Sequence, residues 1–319
     1  MKEEYFEYIP CPVCNGEQLE GFFKIAYGKL KQKRSLDYSC LGINKDTLLE
    51  TRRCKECKFV FVNPRVRSKY AHLIYNQSKE GKYAGNKRYT IDTAENRDMT
   101  RQRKLAYFSI FPKMLNYVNL SDSLRLLDVG CGFGHVLSLA GELGIEGIGV
   151  DIDEFRLEYC RGLGLKVFSP SEFKADYEGE SFDLIVCQSV IEHVIDLNEF
   201  LSFIDSISKE NTILYLNGIS PHLISKESKK GRFVKAHFVE HINYFYDSTL
   251  DLFMGQAGFA PASHEIIILN SRKIRIPLKL ARVIRPKTGF FEKIYIKESC
   301  IGEIAKRLRG SKVVEYIIS

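Results

Sequence analysis

Three groups of residues in this chain have the types and spacing to do chemistry. The first is LLDVGCGFG, Leu126 to Gly134, where an acid, Asp128, precedes glycines at 130, 132 and 134. Glycines in a strand-to-helix turn permit positive φ, let a ligand approach bare backbone and let the helix pack close on the strand. A dinucleotide fingerprint spaces its glycines G-x-G-x-x-G and seats a pyrophosphate on the helix N-terminus. Here the spacing differs, and Asp128 would repel that anion while suiting a ligand with a cationic sulfonium and an ammonium group. The second group pairs acids with imidazoles: Glu192 and His193 in IEHV, and His237, Glu240 and His241 in HFVEHINYF. An imidazole tuned near neutral pH is the most suitable base for taking a proton from a hydroxyl or from a carbon made acidic by its neighbour. A carboxylate such as Glu240 can orient a histidine and hold its tautomer. The third group is CPVC and CKEC, at Cys11, Cys14, Cys54 and Cys57. Two such knuckles supply the four thiolates of a closed tetrahedral zinc site, which has no open position and is therefore structural.

These residues need elements to hold them. Leu124 to Val129 is apolar and β-prone, and His135 to Leu143 places Val136, Leu139, Ala140 and Leu143 at helical spacing, so the glycines sit in a strand-helix turn. GIGVDID reads as a second strand ending in Asp151, about twenty residues on, where ribose hydroxyls need an acceptor. FDLIVCQSVIEHV reads as a buried strand running into a polar turn at the carboxyl edge of the sheet, where open α/β sheets bind ligands. Further on, 196–207 reads as a helix, 212–218 as a strand, 248–257 as a helix closed by Gly258, and 263–269 as a strand. Alternation of this kind predicts an α/β fold with a doubly wound, mainly parallel sheet.

At 319 residues with 45% hydrophobic content, the chain can build one large core and one small domain. The knuckles are 39 residues apart, wider than the usual ribbon spacing of about 15 to 20, which predicts a β-hairpin carrying an inserted loop. Cys40 lies in that insert and either replaces a ligand or is an ordinary thiol; Cys131, Cys160, Cys187 and Cys300 read as small buried hydrophobes. The ribbon should end near Asn63-Pro64, giving a zinc ribbon over 1–64. A linker and N-terminal helical segment follow over 65–118, rich in Lys and Arg, with a helix over 93–114. The sheet domain spans 119–271. The last segment, 272–319, holds thirteen Lys or Arg against four Glu, so the remainder of the chain is slightly acidic. Its basic and apolar residues alternate in a way that suits contact with an anionic membrane face or a polyanion, or a final strand completing the sheet with its charges in water. No stretch of about eighteen apolar residues appears and the N-terminus is acidic, so the expected location is cytoplasmic, where nine cysteines point to metal or burial rather than disulfides.

The three ordered motifs resemble the class I S-adenosylmethionine-dependent methyltransferases over roughly residues 120 to 270, which implies a Rossmann-like fold and that cofactor. On this resemblance Asp128, Gly130, Cys131, Gly132 and Gly134 would surround the methionine part, Asp151 the ribose and Ile152 the adenine face, with Gln188 near the sulfonium. Tyr83, Arg88 and Tyr89 would be lid residues over the cofactor, and Ser169 or Glu172 would meet the adenine amine. The four-cysteine ribbon, EHV, and EHINYF ahead of a Leu-rich helix and AGF resemble a bacterial subgroup that methylates sugars, nucleotide-linked sugars or glycans in polysaccharide biosynthesis, at oxygen or carbon. The base stays open among His193, His237 and His241.

Two other readings compete. Some ribosomal RNA guanine methyltransferases also carry an N-terminal zinc module and basic patches, but QSVIEH lacks the Asn-Pro-Pro-Tyr or Asp-Pro-Pro-Tyr clamp typical of amino methylation on bases. A non-enzymatic docking module would need neither Asp151 nor two candidate bases. The sequence leaves the oligomeric state open.

Overall fold

The computed structural model describes residues 2–29, 38–75, 101–119 except 103, 123–224, 239–262, 264–269, 272–277 and 290–297. The N-terminal part is built from strands β1 (Phe6–Glu7), β2 (Leu19–Ala26), β3 (Leu48–Cys54), β4 (Val60–Val62) and β5 (Arg65–Val66), followed by helix α1 (Ala71–Tyr75). β2 and β3 form an antiparallel hairpin, with residues 27–47 as its insert. β5 pairs with β1, so the ribbon continues past Pro64.

After helix α2 (Ile110–Leu115) come β6 (Arg125–Val129), α3 (His135–Glu142), β7 (Glu146–Val150), α4 (Glu154–Gly162), β8 (Lys166–Phe168), α5 (Pro170–Tyr177) and β9 (Phe182–Gln188). Then follow α6 (Leu197–Ser206), β10 (Ser208–Ile219), β11 (Asn243–Tyr244), α7 (Asp247–Gly255) and β12 (Phe259–Pro261). The last strands are β13 (His264–Leu269), β14 (Arg272–Pro277) and β15 (Phe290–Lys297). The seven-stranded sheet has the order β12-β15-β10-β9-β6-β7-β8. β10, β9, β6, β7 and β8 are parallel, and β15 runs antiparallel between β10 and β12. The chain winds outward from β6 through β7 to β8, then crosses back to β9 on the other side of β6. That reversal opens a crevice at the carboxyl ends of β6 and β9, where such sheets take ligands.

The central strands are apolar on both faces because helices cover both. Leu127, Ile185, Leu214 and Leu216 pack on one side, Leu126, Leu184, Val186 and Ile213 on the other. All eight are fully buried, each contributing about 1.5–3 kcal/mol, so the floor beneath the crevice is a well-packed core. Helix starts are sequence-encoded: the Asp196 side chain accepts from the Asn198 and Glu199 amides, and Ser169 and Glu172 form a reciprocal capping box ahead of α5.

Several elements differ from expectation. The strand expected over 263–269 does not join the main sheet: β13 pairs with β14 in a separate two-stranded sheet, a hairpin that straddles the boundary expected at 271/272. Period-2 patterning predicts a strand but not its partner, and here the nearest partner is local. The helix expected over 93–114 is described only from residue 101, and a turn at Ser109 separates its helical residues from α2. Among the described residues, no helix is long and apolar enough to cross a membrane.

Candidate functional site

The glycine turn joins β6 to α3. Gly130, Gly132 and Gly134 have φ of +74°, +55° and +69°. Their reasons differ. A Cβ on Gly130 would stand 2.3 Å from Val190 Cγ2, and one on Gly134 2.4 Å from Leu165 Cδ1, so these two serve close packing. A Cβ on Gly132 would meet nothing within 4 Å, so this glycine presents bare backbone to open space. The Gly130 and Cys131 amides both donate to the Val150 carbonyl, at 2.7 and 3.1 Å, which ties the turn to β7.

Asp151 follows β7. One carboxylate oxygen accepts from the Gly132 amide at 2.8 Å and the other from the Asp153 amide at 2.9 Å. A carboxylate has about four acceptor sites, so capacity for ribose hydroxyls remains on a group already fixed by the turn. Ile152 beside it is 61% exposed, an apolar surface available to an adenine ring. Asp128 is buried, and burial together with the Asp151 charge pushes its carboxyl up to about 8. A cationic ligand at this point would relieve that penalty. Gln188 ends β9 at the crevice, and its buried Oε1 has no partner among the described residues. The residues thus fit S-adenosylmethionine: a bare-backbone cradle, two buried acids and an orphaned amide oxygen at the switch point.

Two of the sequence expectations are narrowed. The Cys131 thiol is buried against Gly149, whose added Cβ would lie 2.8 Å from it, so Cys131 can offer a ligand only its backbone. Ser169 and Glu172 are engaged with each other in the capping box, and Glu172 also with Arg161 at 2.9 Å. His237, Tyr83, Arg88 and Tyr89 lie outside the described residues.

Beyond β9 the chain turns through Ile191–His193. The His193 ring meets His241 edge to face, with centroids 4.6 Å apart. One ligand atom from each of Glu192, His193 and His241 lies within 4.8 Å of the other two. Glu192 is 2% exposed, and burial raises its carboxyl to about 7. The loop carrying His241 is stitched down on two sides. Ile242 donates its amide to the Glu192 carbonyl at 2.7 Å, and the Asn243 side chain donates to the Ile191 and Val194 carbonyls at 2.9 and 2.6 Å. Its strand β11 pairs with β4, so the site loop forms an edge strand of the ribbon sheet, whose order is β11-β4-β3-β2. Glu240 is buried and accepts from the Tyr38 hydroxyl at 2.6 Å. Neither Tyr38 nor Asn243 was foreseen; an Asn inside the β-prone run HINYF was the one available signal, and nothing marked Tyr38.

The knuckles share one geometry. Cys11 donates its amide to the Gly16 carbonyl and accepts from the Asn15 amide; Cys54 does the same with Phe59 and Lys58. Asn15 and Lys58 take positive φ at equivalent points. Cys11 and Cys57 sulfurs are 3.5 Å apart, Cys14 and Cys54 sulfurs 3.6 Å, and all four lie within 4.8 Å of one another. A tetrahedral ion with bonds of about 2.3 Å separates its thiolates by roughly 3.8 Å, so the cluster has the dimensions of a closed zinc site. The hydrogen bond between Cys11 and Cys57 lowers the Cys57 thiol and, together with burial, raises that of Cys11. Thr249 donates to the Cys57 carbonyl at 2.9 Å and Gln256 to the Val13 carbonyl at 2.8 Å, which anchors both knuckles to α7 and its C-terminal end.

Comparison with known proteins places this site in a family. The profile of a methyltransferase domain matches residues 99–264, just over half of the chain. The chain belongs to that methyltransferase family. The ubiquinone biosynthesis O-methyltransferase of Brucella anthropi is 30% identical over 105 residues, 31% of this chain and 42% of that protein. The human mitochondrial protein of the same name is 32% identical over 113 residues, 32% of this chain and 30% of that one. The matches thus span about two-fifths or less of the length of these two relatives. Among solved structures, a magnesium protoporphyrin IX methyltransferase from Synechocystis PCC 6803 with bound SAH is 14% identical, covering 70% of this chain and 97% of that one with a TM-score of 0.46. An Archaeoglobus fulgidus SAM-dependent methyltransferase is 23% identical, covering 62% and 94% with a TM-score of 0.45.

Proposed function

We propose that the chain transfers a methyl group from S-adenosylmethionine to a hydroxyl, or to a carbon beside a carbonyl, on a sugar, nucleotide-linked sugar or glycan. One observation carries the reading: His193 and His241 meet ring to ring beyond the end of β9, the strand whose Gln188 faces the cofactor crevice. The cofactor supplies an electrophilic methyl group when bound. Asp128 and Gln188 hold its methionine part, Asp151 its ribose and Ile152 its adenine face. His193 or His241 takes the acceptor proton as the new bond forms, which contributes about 10²–10⁴-fold. Glu192 and Glu240 set the charge and orientation of that imidazole pair. Positioning of the acceptor supplies most of the remaining rate, since the reaction is a direct displacement. Cys11, Cys14, Cys54 and Cys57 hold a structural zinc ion. Within the basic segment over 272–319, β15 completes the main sheet, and the segment's charges serve membrane or polyanion contact.

The names of the curated relatives favour a second reading, O-methylation of an acceptor in ubiquinone biosynthesis. Purified protein incubated with labelled S-adenosylmethionine against sugar nucleotides, a phenolic acceptor and total RNA separates these readings. Label in a sugar nucleotide is expected; label confined to the phenol or to RNA overturns the sugar assignment. Absence of S-adenosylmethionine binding by calorimetry would overturn the methyltransferase reading itself.

A further inference from the structure

We propose that Cys160, in α4, is a positioning residue for the cofactor: its thiol donates to the Gly132 carbonyl and so holds the glycine that presents bare backbone to the ligand. The inference rests on the S-adenosylmethionine reading of the crevice. Cys160 is fully buried, and its sulfur lies 3.4 Å from the Gly132 oxygen, a separation that suits the large radius of a sulfur donor. Burial, with the Asp151 and Asp128 charges nearby, pushes the thiol up to about 11, so at neutral pH it keeps the proton it donates. On its other side Gly132 is held through its amide, which donates to Asp151 Oδ2 at 2.8 Å. The amide belongs to the peptide before Gly132 and the carbonyl to the peptide after it. The two bonds therefore fix both of the planes that meet at its Cα. This residue needs such fixing more than its neighbours. Gly130 and Gly134 are closed in by Val190 and Leu165, whereas Gly132, at φ +55°, has nothing within 4 Å of where a Cβ would stand, and glycine has the most backbone freedom to lose. Both anchors belong to one unit, since Asp151 follows β7 and Cys160 lies in the next helix, where its own carbonyl accepts from the Leu163 and Leu165 amides at 3.0 and 3.1 Å. A turn ordered in advance spares the ligand the cost of ordering it on binding.

Read from sequence, Cys160 is a small buried hydrophobe, and a residue that only fills space is replaced as well by alanine as by serine. A donor is replaced by serine alone. Calorimetric titration of the full-length chain, C160S and C160A with S-adenosylmethionine separates the two roles, at a temperature where thermal unfolding shows all three folded. C160S is expected to bind within about twofold of the unmutated chain and C160A at least about threefold more weakly, the scale of one weak hydrogen bond. C160A binding as tightly as the unmutated chain, or C160S binding as weakly as C160A, overturns the role of Cys160 and leaves the crevice assignment standing. Absence of binding by the unmutated chain overturns both. Should C160A fail to fold, C160T and C160V take the place of the first pair, being alike in shape and different in the donor; equal affinities in these two then overturn the proposal.

Discussion

Replacing Gly130 and Gly132 by alanine, one at a time, separates packing from ligand space within a single turn. Both residues have positive φ, so each alanine costs about 1–2 kcal/mol of backbone strain. At Gly130 the new methyl group would also stand 2.3 Å from Val190 Cγ2, and overpacking of this kind adds about 1–3 kcal/mol. The expected losses are therefore about 2–5 kcal/mol for Gly130→Ala and about 1–2 kcal/mol for Gly132→Ala. At roughly 2–4 °C per kcal/mol, unfolding temperatures fall by about 4–20 °C and about 2–8 °C respectively. Affinity should respond differently, because the Gly132 methyl group has nothing within 4 Å and projects into the space assigned to the cofactor. A tenfold loss of S-adenosylmethionine affinity, about 1.4 kcal/mol, is the least expected there. Thermal unfolding and calorimetry on the same samples measure both quantities. Should Gly132→Ala bind as tightly as the unmutated chain, the open side of the turn is not the ligand side and the assignment of this crevice fails.

Asp128 gives a pH prediction of unusual sign. Its carboxyl is raised from 3.8 to about 8, so between those values the folded chain keeps a proton that the unfolded chain has released. Its contribution to stability is therefore intact below pH 4 and lost as pH rises to 8. Urea unfolding at pH 5 and pH 8 should show Asp128→Asn flattening this slope; an unaltered slope contradicts the assignment. A cationic cofactor favours the ionised acid, so S-adenosylmethionine should bind with proton release near pH 7, read as a dependence of binding heat on buffer ionisation enthalpy. His193→Ala and His241→Ala should each retain cofactor affinity, and at least one should lower turnover by about 10²-fold or more. Full turnover in both would remove the imidazole pair from the chemistry. Metal analysis of freshly purified protein should find one zinc per chain, with chelation lowering the unfolding temperature; substoichiometric metal counts against the closed site.

The crevice was readable from sequence because its determinants are local. Asp128, the glycines and Asp151 sit at strand ends fixed by short apolar runs, and their spacing alone brings them to one edge. The glycines carry different burdens, though, and this was not legible: Gly130 and Gly134 answer to Val190 and Leu165, which are 60 and 31 positions away. The knuckles were readable for the same local reason, and the wide gap between them correctly demanded a hairpin with an insert. What the sequence withheld was long-range pairing. Nothing in NYF marks β11 as an edge strand of the ribbon, because a two-residue strand carries no periodicity. Nothing in the insert distinguishes Tyr38 from the other tyrosines, since the acceptor of its hydroxyl lies 202 residues away. The hairpin of β13 and β14 misled for the converse reason: its alternation is that of a sheet strand, and only the partner differs.

That pairing bears on why a methyltransferase fold carries a ribbon at all. Ordering a loop costs about 1–2 kcal/mol of backbone entropy per residue, so a loop such as 239–246 demands many partners before its histidine is fixed to within a fraction of an ångström. The sheet domain supplies some of these: Ile219 accepts from the Phe245 amide, Glu192 from the Ile242 amide, and Ile191 and Val194 from the Asn243 side chain. The pairing of β11 with β4, the Val62 bond to Ile242 and the Tyr38 bond to Glu240 come from the ribbon. The ribbon has an apolar core of its own, with Leu41, Ile43, Leu49, Val60 and Val62 buried together, and in so small a unit a bound metal would add to that core. On the function proposed above, a zinc ion in the cysteine cluster would act on chemistry at one remove: it would brace β3 and β4, which pair with each other and with β11, and β11 begins just after His241. Losing the metal should therefore cost turnover before it costs cofactor affinity, since Asp128, Gly132 and Asp151 are held by β6, β7 and the glycine turn rather than by hydrogen bonds from the ribbon. Metal-depleted protein that binds S-adenosylmethionine as before but loses turnover would bear this chain of dependence out. Simultaneous loss of both properties would instead mean that the ribbon and the sheet fold as one cooperative unit.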